Sequence, residues 1–470
     1  MNVSTGYVDR SLLSPFDGGF FAGLSFQSYF APGFRTTFNG NSAQHTGDIF
    51  SVTQSRRDQR FTGSTQMNWK PLSWLSNRAV IGVDQIAGYS YRFSRANEGT
   101  VTGWGPPGQT GGKDANRNTF SRYSVDLGSS ANFTLTPTIS SKTSVGAQWF
   151  KDTQYETVVQ GYTLPPGAQT PNSASIRTSS EFTAENATFG AYVQQDFAWN
   201  ERLFLTGSVR TDQNSAFGRN AGNTLYPRLA VSYVLSEESW FPKWNTLNNL
   251  RFRSAWGQAG VQPSTIAALQ FLNANTVPLG GTEVGALRLG AIGNSDLRPE
   301  VTTETETGFD AALFSNRVNI EATYFRKLSR DALFQNPLPP SFGAGANQWQ
   351  NIAAVMNAGG ELSVDVQLLN RKWLVWSTRL NGSRIKNKLV DAGKAQLAVT
   401  QGARNVVGFP MFGLWARPIK SFADANNDGI LTESEIVVGD TAEYKGPTLP
   451  VNEAGWSNTF GLFKNTVQVS

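Results

Sequence analysis

The feature of this sequence that most limits its fold is a strict alternation of apolar and polar residues. Every second residue from Val318 to Tyr324 is apolar, and the run from Leu362 to Leu368 repeats the pattern. Successive side chains of a β-strand point to opposite faces, so each run produces one apolar and one polar face. We expect the outer face to carry Val318, Ile320, Tyr324, Leu362, Val364, Val366 and Leu368, and the inner face to carry Glu321, Glu361, Asp365 and Gln367.

The length of these runs points to a membrane. Many extend over roughly 10 to 15 residues, whereas a soluble strand usually has about 5 to 6. Long, tilted, alternating strands suit a transmembrane antiparallel β-barrel, with lipid outside and water inside. No apolar run is long enough for a transmembrane helix, and the mean hydropathy of -0.31 agrees with strands of which half the residues face water. The predicted fold is therefore all-β.

About fourteen strands can be placed along the chain. They lie near 46–54, 56–69, 77–94, 118–135, 140–157, 176–199, 202–214, 225–236, 248–257, 301–314, 317–328, 358–370, 372–386 and 453–464. Short turns alternate with long connections at 95–117, 161–175, 260–300, 329–357 and 390–452. Short turns on one side and long extracellular loops on the other are typical of outer-membrane barrels.

Composition excludes several classes of function. The chain has 470 residues, no cysteine and a single histidine, His45, which we interpret as a solvated loop residue. Disulfides, thiolate metal sites and histidine-based zinc sites are therefore excluded. The net charge is only +5 and the basic residues are dispersed, so no nucleic-acid partner is expected. No catalytic motif occurs, and the sequence predicts no enzyme.

Two other readings of the pattern stay open at this point. A passive, porin-like channel would use the same alternation with fewer strands. A secreted or surface-attached β-rich binding protein without a pore would also show short turns between strands. Propellers repeat a signature every ~40–50 residues, and no such repeat is found here.

A set of ordered motifs resembles the barrel of the SusC/RagA-type TonB-dependent transporters. The most specific is Asn294-Ser-Asp-Leu-Arg-Pro-Glu300. The others, in chain order, are Arg202–Asp212, Asn214–Gly218, Tyr226–Arg228, Leu250–Gly260, Thr303–Asp310, Pro337–Pro339, Asn351–Ile352, Asn357–Leu362, Gly446–Pro450 and Trp456–Phe460. Each motif alone is weak, but their order and spacing from about residue 196 to the end are similar to the family.

The resemblance implies a barrel of 22 strands with an N-terminal plug in the outer membrane of a Gram-negative bacterium. It implies active import of a nutrient such as a glycan or peptide oligomer. Implied partners are membrane lipid, a SusD-like surface lipoprotein lid and the TonB complex. With about fourteen strands, residues 1–470 are expected to form part of such a barrel, without the N-terminal plug and the C-terminal strands.

One segment fits the D-x-[DN]-x-[DN]-G-x5-E pattern of a calcium loop. Calcium takes six to eight oxygen ligands from carboxylates, amides, a backbone carbonyl and water. Gly429 would permit the sharp turn, and the flanking sequence favours an isolated loop over a paired EF-hand. The predicted ligands of this possible Ca²⁺ site are Asp424, Asn426, Asp428, the carbonyl of Ile430, Thr432 through water, and Glu435. The alternative is a polar surface turn.

Charged and tryptophan residues within the strands allow two readings each. The charged residues either select solutes in a polar lumen or pair with one another; they are Arg202, Arg210, Arg251, Arg253, Glu304, Glu306, Asp310, Glu321, Glu361 and Asp365. Six tryptophans near strand ends suit interfacial anchoring, namely Trp69, Trp74, Trp149, Trp199, Trp373 and Trp376. Trp104, Trp349 and Trp415 lie in expected loops, where they would stack on a glycan or pack within the loops.

Overall fold

The structure is a computed structural model that describes residues 1–14, 50–96, 111–263, 267–339, 341, 347–393, 399–400, 402–463 and 466–469. His45 and Trp104 lie outside the described residues. Strands dominate the regular structure, and short 3-10 turns occur at Pro171–Ser173, Leu235–Glu237 and Glu433–Glu435. No helix in the described part of the chain is both long and apolar enough to cross a membrane.

The described residues form strands whose lengths reach 25 residues in β4. In chain order they are β1 Asn2–Ser14, β2 Thr53–Leu72, β3 Leu75–Ser94, β4 Gly112–Thr136, β5 Ile139–Tyr162, β6 Ile176–Trp199, β7 Leu203–Asn214, β8 Thr224–Val234, β9 Leu247–Val261, β10 Phe271–Leu279, β11 Thr282–Ala291, β12 Glu300–Leu313, β13 Val318–Pro337, β14 Asn347–Asn370, β15 Leu374–Asp391, β16 Val399–Thr400, β17 Ala403–Arg404, β18 Gly413–Ala416, β19 Ile419–Phe422, β20 Ile436–Val438, β21 Glu443–Gly446, β22 Asn452–Leu462 and β23 Val467–Val469.

The chain divides into two compact units. Unit 1 comprises Met1–Ser129 and Ala147–Phe189, and unit 2 comprises Ser130–Gly146 and Gly190–Ser470, so β4, β5 and β6 contribute residues to both. In unit 1 the strand order is β1-β2-β3-β4-β5-β6, with antiparallel pairing of β2 to β1 and β3. The unit is built from neighbouring strands that follow one another in sequence.

Unit 2 is also built mainly from strands that neighbour one another in sequence order. Its strand order is β4-β5-β6-β7-β8-β9-β12-β13-β14-β15-β22-β23. The pairs from β7 to β9 and from β12 to β23 are antiparallel, as is the pair of β9 with β12. The hairpin β10–β11 is inserted between β9 and β12, and two small sheets, β16-β17-β18-β21 and β19-β20, are inserted between β15 and β22.

Connection lengths alternate, as the sequence predicts. Short connections join β2 to β3, β6 to β7, β12 to β13 and β14 to β15, whereas the connections that follow β9, β13 and β15 are long. Within unit 2, antiparallel neighbours joined in this way place the short turns at one end of the strands and the long connections at the other. The side with the inserted hairpin and small sheets is therefore the long-connection end.

Several expected boundaries were wrong. Of the strand expected at 46–54, residues 46–49 lie outside the described residues, and only Thr53 and Gln54 belong to a strand. That strand is β2, which also contains the strand expected at 56–69, and β1 was not expected at all. The connections expected at 260–300, 329–357 and 390–452 contain strands of their own, because β13 and β14 extend well past the alternating segments and short hairpins fold within the loops. Among the described residues, fifteen strands take part in the long sheets of the two units, against about fourteen expected. The other eight strands form the hairpin and the small sheets inserted in unit 2.

Little apolar surface is enclosed by these strands. One small buried cluster lies at the long-connection end of unit 2 and contains Ala332, Ala353, Leu389 and Ala392. In unit 1, Phe93, Leu164 and Ala174 form another. Many large apolar side chains in the strands remain exposed, including Tyr324 at 58% and Trp456 at 72%. Strands with so small a core need another apolar environment against the face that carries these exposed apolar side chains.

Candidate functional site

The pairing register of unit 2 separates the two faces of its strands. Val318, Ile320 and Ala322 lie opposite Val366, Val364 and Leu362, while Glu321 lies opposite Ser363 on the other face. This register confirms that the expected apolar residues from Val318 to Tyr324 and from Leu362 to Val366 share one face, and that Glu321, Glu361, Asp365 and Gln367 share the other. We call these the apolar face and the polar face. Leu368 lies in a bulge after Gln367, and its expected place on the apolar face stays a prediction.

The polar face carries cross-strand ion pairs. Asp310 of β12 binds Arg251 at 2.5 Å and Arg253 at 3.1 Å, both from β9. Lys327 approaches Glu304 at 3.6 Å, and Arg379 binds Asp365. Elsewhere in unit 2, Arg210 pairs with Asp212 and Arg202 with Glu238. Most of the charged residues singled out in the sequence therefore form ion pairs, with one another or with other charged side chains.

Three of those charged residues form no ion pair with any described residue. Glu306, Glu321 and Glu361 line a concavity of about 760 Å³ on the polar face, together with Glu304 and Glu453. Arg253 and Lys327 are the basic residues in this lining. The concavity therefore has an acidic character, since Arg253 is already paired with Asp310.

The most specific family motif builds a clasp at the long-connection end. The N–H of Gly218 donates to the carbonyl of Leu297 at 2.8 Å, and the N–H of Asn220 donates to that of Ser295 at 2.9 Å. Leu297 is fully buried between these segments. These backbone hydrogen bonds join two motifs that are far apart in the sequence, Asn214–Gly218 and Asn294–Glu300.

Two asparagines extend the clasp to β14. The side chain of Asn351 accepts from the N–H of Arg298 at 2.9 Å and donates to the carbonyls of Arg298 and Asp331 at 2.8 and 2.9 Å. The side chain of Asn294 donates to the carbonyl of Trp349 at 2.8 Å. Each amide bonds backbone groups of a segment far from it in the sequence, so these motif residues hold the loop against the strands.

A polar concavity of about 1140 Å³ opens beside this clasp. Amide and charged side chains predominate in its lining, beside a smaller apolar part; the amide and charged residues include Arg219, Asn220, Asp296, Arg298, Gln348 and Gln350. Such groups offer hydrogen-bond donors and acceptors of the kind that sugars and peptide backbones require. The concavity is the candidate capture site for a polar solute.

The segment predicted to bind calcium folds as a loop between β19 and β20. Asp424 accepts from the N–H groups of Asp428 and Gly429, and Asp428 accepts from the N–H of Ile430 at 2.7 Å. Asn426 donates from its side chain to Asp428 at 2.8 Å. The side chains of Asp424 and Asp428 therefore stabilise the turn by accepting hydrogen bonds from its backbone N–H groups.

The end of this loop is held in the same way. Glu435 accepts from the N–H of Ala425 and from the N–H and hydroxyl of Thr432, each at 2.8 Å. These bonds hold the pKa of Glu435 below its usual value. In the described part of the chain, no group of three or more Asp, Glu, His or Cys side chains is arranged to hold a metal ion. Calcium binding by Asp424, Asn426, Asp428, Ile430, Thr432 and Glu435 stays a prediction.

Some of the tryptophans lie where the sequence predicted them and others do not. Trp199 and Trp69 lie at strand ends with 43% and 56% of their surface exposed, whereas Trp149 is in the middle of β5. Trp349 was expected in a loop but lies in β14. Trp415 packs against Phe409 and Tyr444 with ring centroids 5.0 and 5.8 Å apart, so its ring is engaged within the small loop sheet.

Sequence reasoning found the motifs but missed their shared role. The clasp joins residues 214–220, 294–298 and 351, and only the tertiary fold brings these segments together. A useful signal was available in Gly218, since a residue with a Cβ would meet the carbonyl oxygen of Ser295 there. Glycine is the residue used where two backbones approach closely, and Gly218 ends the motif Asn214–Gly218.

Comparison with known proteins agrees with this architecture. The sequence profile of the TonB-dependent receptor-like β-barrel family matches residues 2–416. The TonB-dependent receptor P26 of Formosa agariphila is 26% identical over 304 residues, which are 57% of this chain and 30% of that relative. The TonB-dependent receptor SusC of Bacteroides thetaiotaomicron is 25% identical over 311 residues, 59% of this chain and 30% of the relative. The chain thus covers less than a third of either relative.

Solved structures show the same fold. The RagAB peptide importer in its closed-closed state superposes with a TM-score of 0.74 at 16% identity, over 88% of this chain and 47% of that one. The outer-membrane transporter YddB from Escherichia coli gives a TM-score of 0.55 at 11% identity, over 88% of this chain and 58% of that one. With the family match covering most of its length, the chain belongs to the TonB-dependent receptor β-barrel family, whose barrels lie in the outer membrane of Gram-negative bacteria.

Proposed function

We propose that this chain forms part of the barrel of a transporter that actively imports a polar oligomer across the outer membrane. The observation that carries the proposal is the separation of its two faces. An exposed apolar face suits lipid, and an ion-paired polar face suits a water-filled interior. Within a family of TonB-dependent receptors, such a wall encloses a transport path.

The cargo proposed is a glycan or peptide oligomer. The concavity beside the clasp supports this class, because its amides and charged groups can bind hydroxyl groups or peptide backbone. One sequence relative is named SusC, and one solved structure of the same fold is the RagAB peptide importer. Which of the two cargo types enters would be decided by residues such as Asn220, Gln348 and Gln350.

The partners proposed follow from the same assignment. A SusD-like surface lipoprotein would cover the long-connection end and deliver the oligomer to the concavity. The TonB complex would supply energy from the inner membrane. The barrel itself would contribute binding and passage, with no covalent chemistry on the cargo.

Uptake by cells tests the proposal. A strain lacking the gene and a complemented strain are offered labelled glycan and peptide oligomers, with and without a protonophore. The proposal expects accumulation that depends on the gene, on the TonB system and on the proton gradient. Gene-dependent accumulation that persists without TonB would indicate a passive channel and reject active import. Surface binding without accumulation would indicate a binding protein.

A second measurement addresses the capture site. Replacing Gln348 and Gln350 with alanine should weaken oligomer binding to purified protein, because both amides line the concavity. Replacing Gln335, an exposed residue of β13, is the matched control. Equal binding by both variants would remove the concavity from the proposed path.

A further inference from the structure

Five basic side chains lie on the apolar face of unit 2, toward the long-connection end. We call them the basic row: Arg326 and Arg330 of β13, and Arg384, Lys386 and Lys388 of β15. Arg326 follows Ile320 and Tyr324 at even spacing, and Arg384 follows Leu380 in the same way, so all share the apolar face. All five are exposed.

The register brings the two halves of the row together. Ala358 of β14 lies opposite Arg326 on one side and Lys386 on the other. Gly360 lies opposite Arg384. Because β13 and β15 are two strands apart, their backbones are only about 10 Å from each other. The small Ala358 and Gly360 form the floor between them, so long basic side chains flank a shallow strip.

Acidic residues are confined to the other face of these strands. Within 303–311, 318–330, 356–366 and 378–388, the acids are Glu304, Glu306, Asp310, Glu321, Glu361 and Asp365, and all lie on the polar face. In the described part of the chain, no ion pair involves the basic row. By contrast, Lys327 and Arg379 on the polar face pair with Glu304 and Asp365.

Unit 1 shows that such a position can be neutralised within the chain. There Arg57 lies on the same face as Phe61 and Tyr7, and it pairs with Asp9 of β1 at 2.5 Å. A base on the apolar face is thus matched by an acid from the neighbouring strand. The five bases of the basic row have no such acid beside them, which leaves their charge for an external anion.

The basic row directly adjoins the apolar residues that face lipid. Tyr324, Leu362 and Leu380 lie one or two same-face positions farther toward the short-turn end than Arg326, Gly360 and Arg384 of the same strands. A lipid whose acyl chains covered these residues would bring its head group level with Arg326 and Lys386. Guanidinium and ammonium groups bind phosphate through charge-assisted hydrogen bonds.

We propose that the basic row binds the phosphate groups of an anionic lipid in the leaflet nearest the long connections. Charge complementarity selects phosphate, and the adjoining apolar residues select a lipid over a free anion. In a family whose short turns face the periplasm, that leaflet is the outer one. Ala358 and Gly360 leave room for the head group to approach the strand backbone.

Native mass spectrometry of the full chain in detergent micelles tests the proposal, with diphosphorylated lipid A as the probe. Wild-type protein should retain the lipid, and Arg326→Gln with Lys386→Gln should bind it roughly 30-fold more weakly, at about 1 kcal/mol for each lost charge. Arg371→Gln with Lys372→Gln removes the same two charge types at the short-turn end and should leave binding unchanged. Equal loss in both double variants would overturn the site.

Three further measurements separate the possible explanations. Arg326→Lys with Lys386→Arg keeps both charges and should retain binding, which shows that a loss in the neutral variant comes from charge and not from misfolding. Lipid A without phosphate should bind the wild type poorly. If it binds as well as the diphosphorylated form, the basic side chains only anchor the protein at the membrane interface, and the phosphate site is rejected. Displacement of the lipid by stoichiometric inorganic phosphate would indicate a free-anion site and reject the lipid.

Discussion

The backbone N–H of Gly218 donates to the carbonyl oxygen of Leu297 across a distance of 2.8 Å. This bond joins the connection after β7 to the connection that precedes β12. Leu297 is fully buried there, and the N–H of Asn220 reaches Ser295 in parallel. Two long connections therefore act as one ordered element beside the proposed capture site.

Replacing Gly218 with alanine should open this clasp. A Cβ at this position would meet the backbone carbonyl of Ser295 and the N–H of Leu297, and neither can move as a flexible side chain would. We expect faster proteolysis of the connections at 215–223 and 262–299 and weaker oligomer binding, with the strands still folded.

Gly222 is the matched control, since a Cβ there has open space around it and lies in the same connection. Limited proteolysis followed by mass spectrometry locates the cleavage sites in both variants. Equal protection of Gly218→Ala and wild type would show that the clasp tolerates a side chain and is looser than the structure indicates.

Asp310 should contribute measurably to the stability of unit 2. Asp310→Asn keeps the shape of the side chain but removes the charge that Arg251 and Arg253 share. Because both guanidinium groups are about a third or more exposed, solvent screens the interaction, and we expect a loss of about 1 kcal/mol in the free energy of unfolding.

Urea unfolding in detergent, followed by tryptophan fluorescence, measures this difference. Glu361→Gln is the comparison, since that carboxylate has no ion pair with a described residue on the same face, and it should change stability by less than about 0.5 kcal/mol. The effect of Asp310→Asn should shrink at high salt. A loss of equal size in both variants would mean that general charge balance, and not the Arg251–Asp310–Arg253 group, is responsible.

The sequence predicted the strand faces well because alternation is a local property. Val318, Ile320 and Tyr324 reveal their common face without any knowledge of their neighbours, and the register then follows. Boundaries were less accurate, since β13 runs on to Pro337 and β14 begins at Asn347, where alternation has faded and pairing with a neighbour sustains the strand.

The clasp and the basic row could not be predicted from the sequence. Asn351 and Arg298 are far apart in the chain, and their hydrogen bonds depend on a tertiary arrangement of loops. Arg326 and Lys386 are ordinary surface bases in sequence, and they become neighbours only because β14 places Ala358 between them. Side-chain chemistry was visible, but the distances that give it a role were not.

Acid should loosen the loop between β19 and β20. The bonds from Ala425 and Thr432 lower the pKa of Glu435 in the folded protein, so the carboxylate stabilises the loop above its ordinary pKa. This stabilisation should be lost as the pH falls through the lowered pKa, on the acid side of the usual range for a glutamate.

Amide hydrogen exchange of the Ala425 and Thr432 N–H groups, measured across the acidic range, follows this loss directly. Glu435→Gln should flatten the pH dependence, whereas Glu433→Gln, two residues earlier in the same 3-10 turn, should preserve it. Identical pH profiles for wild type and Glu435→Gln would show that another group controls the loop.

Calcium should bind the same loop at millimolar concentration or below. Asp424, Asp428 and Glu435 accept backbone hydrogen bonds, but each carboxylate oxygen has a second lone pair that can face a cation. Asn426 and the carbonyl of Ile430 would complete the oxygen set that calcium prefers. Three like charges held in one short loop also repel one another unless a cation compensates them.

Isothermal titration of the full chain with calcium measures this directly, with Asp428→Ala and Glu435→Gln as the variants that should abolish the heat of binding. Glu433→Gln changes an acid that lies outside the predicted ligand set and serves as the control. Binding should also protect the loop from proteolysis between β19 and β20 while leaving the connection at 215–223 unaffected. No heat at millimolar calcium, or equal heat from all variants, would leave the segment a polar turn held by its own hydrogen bonds.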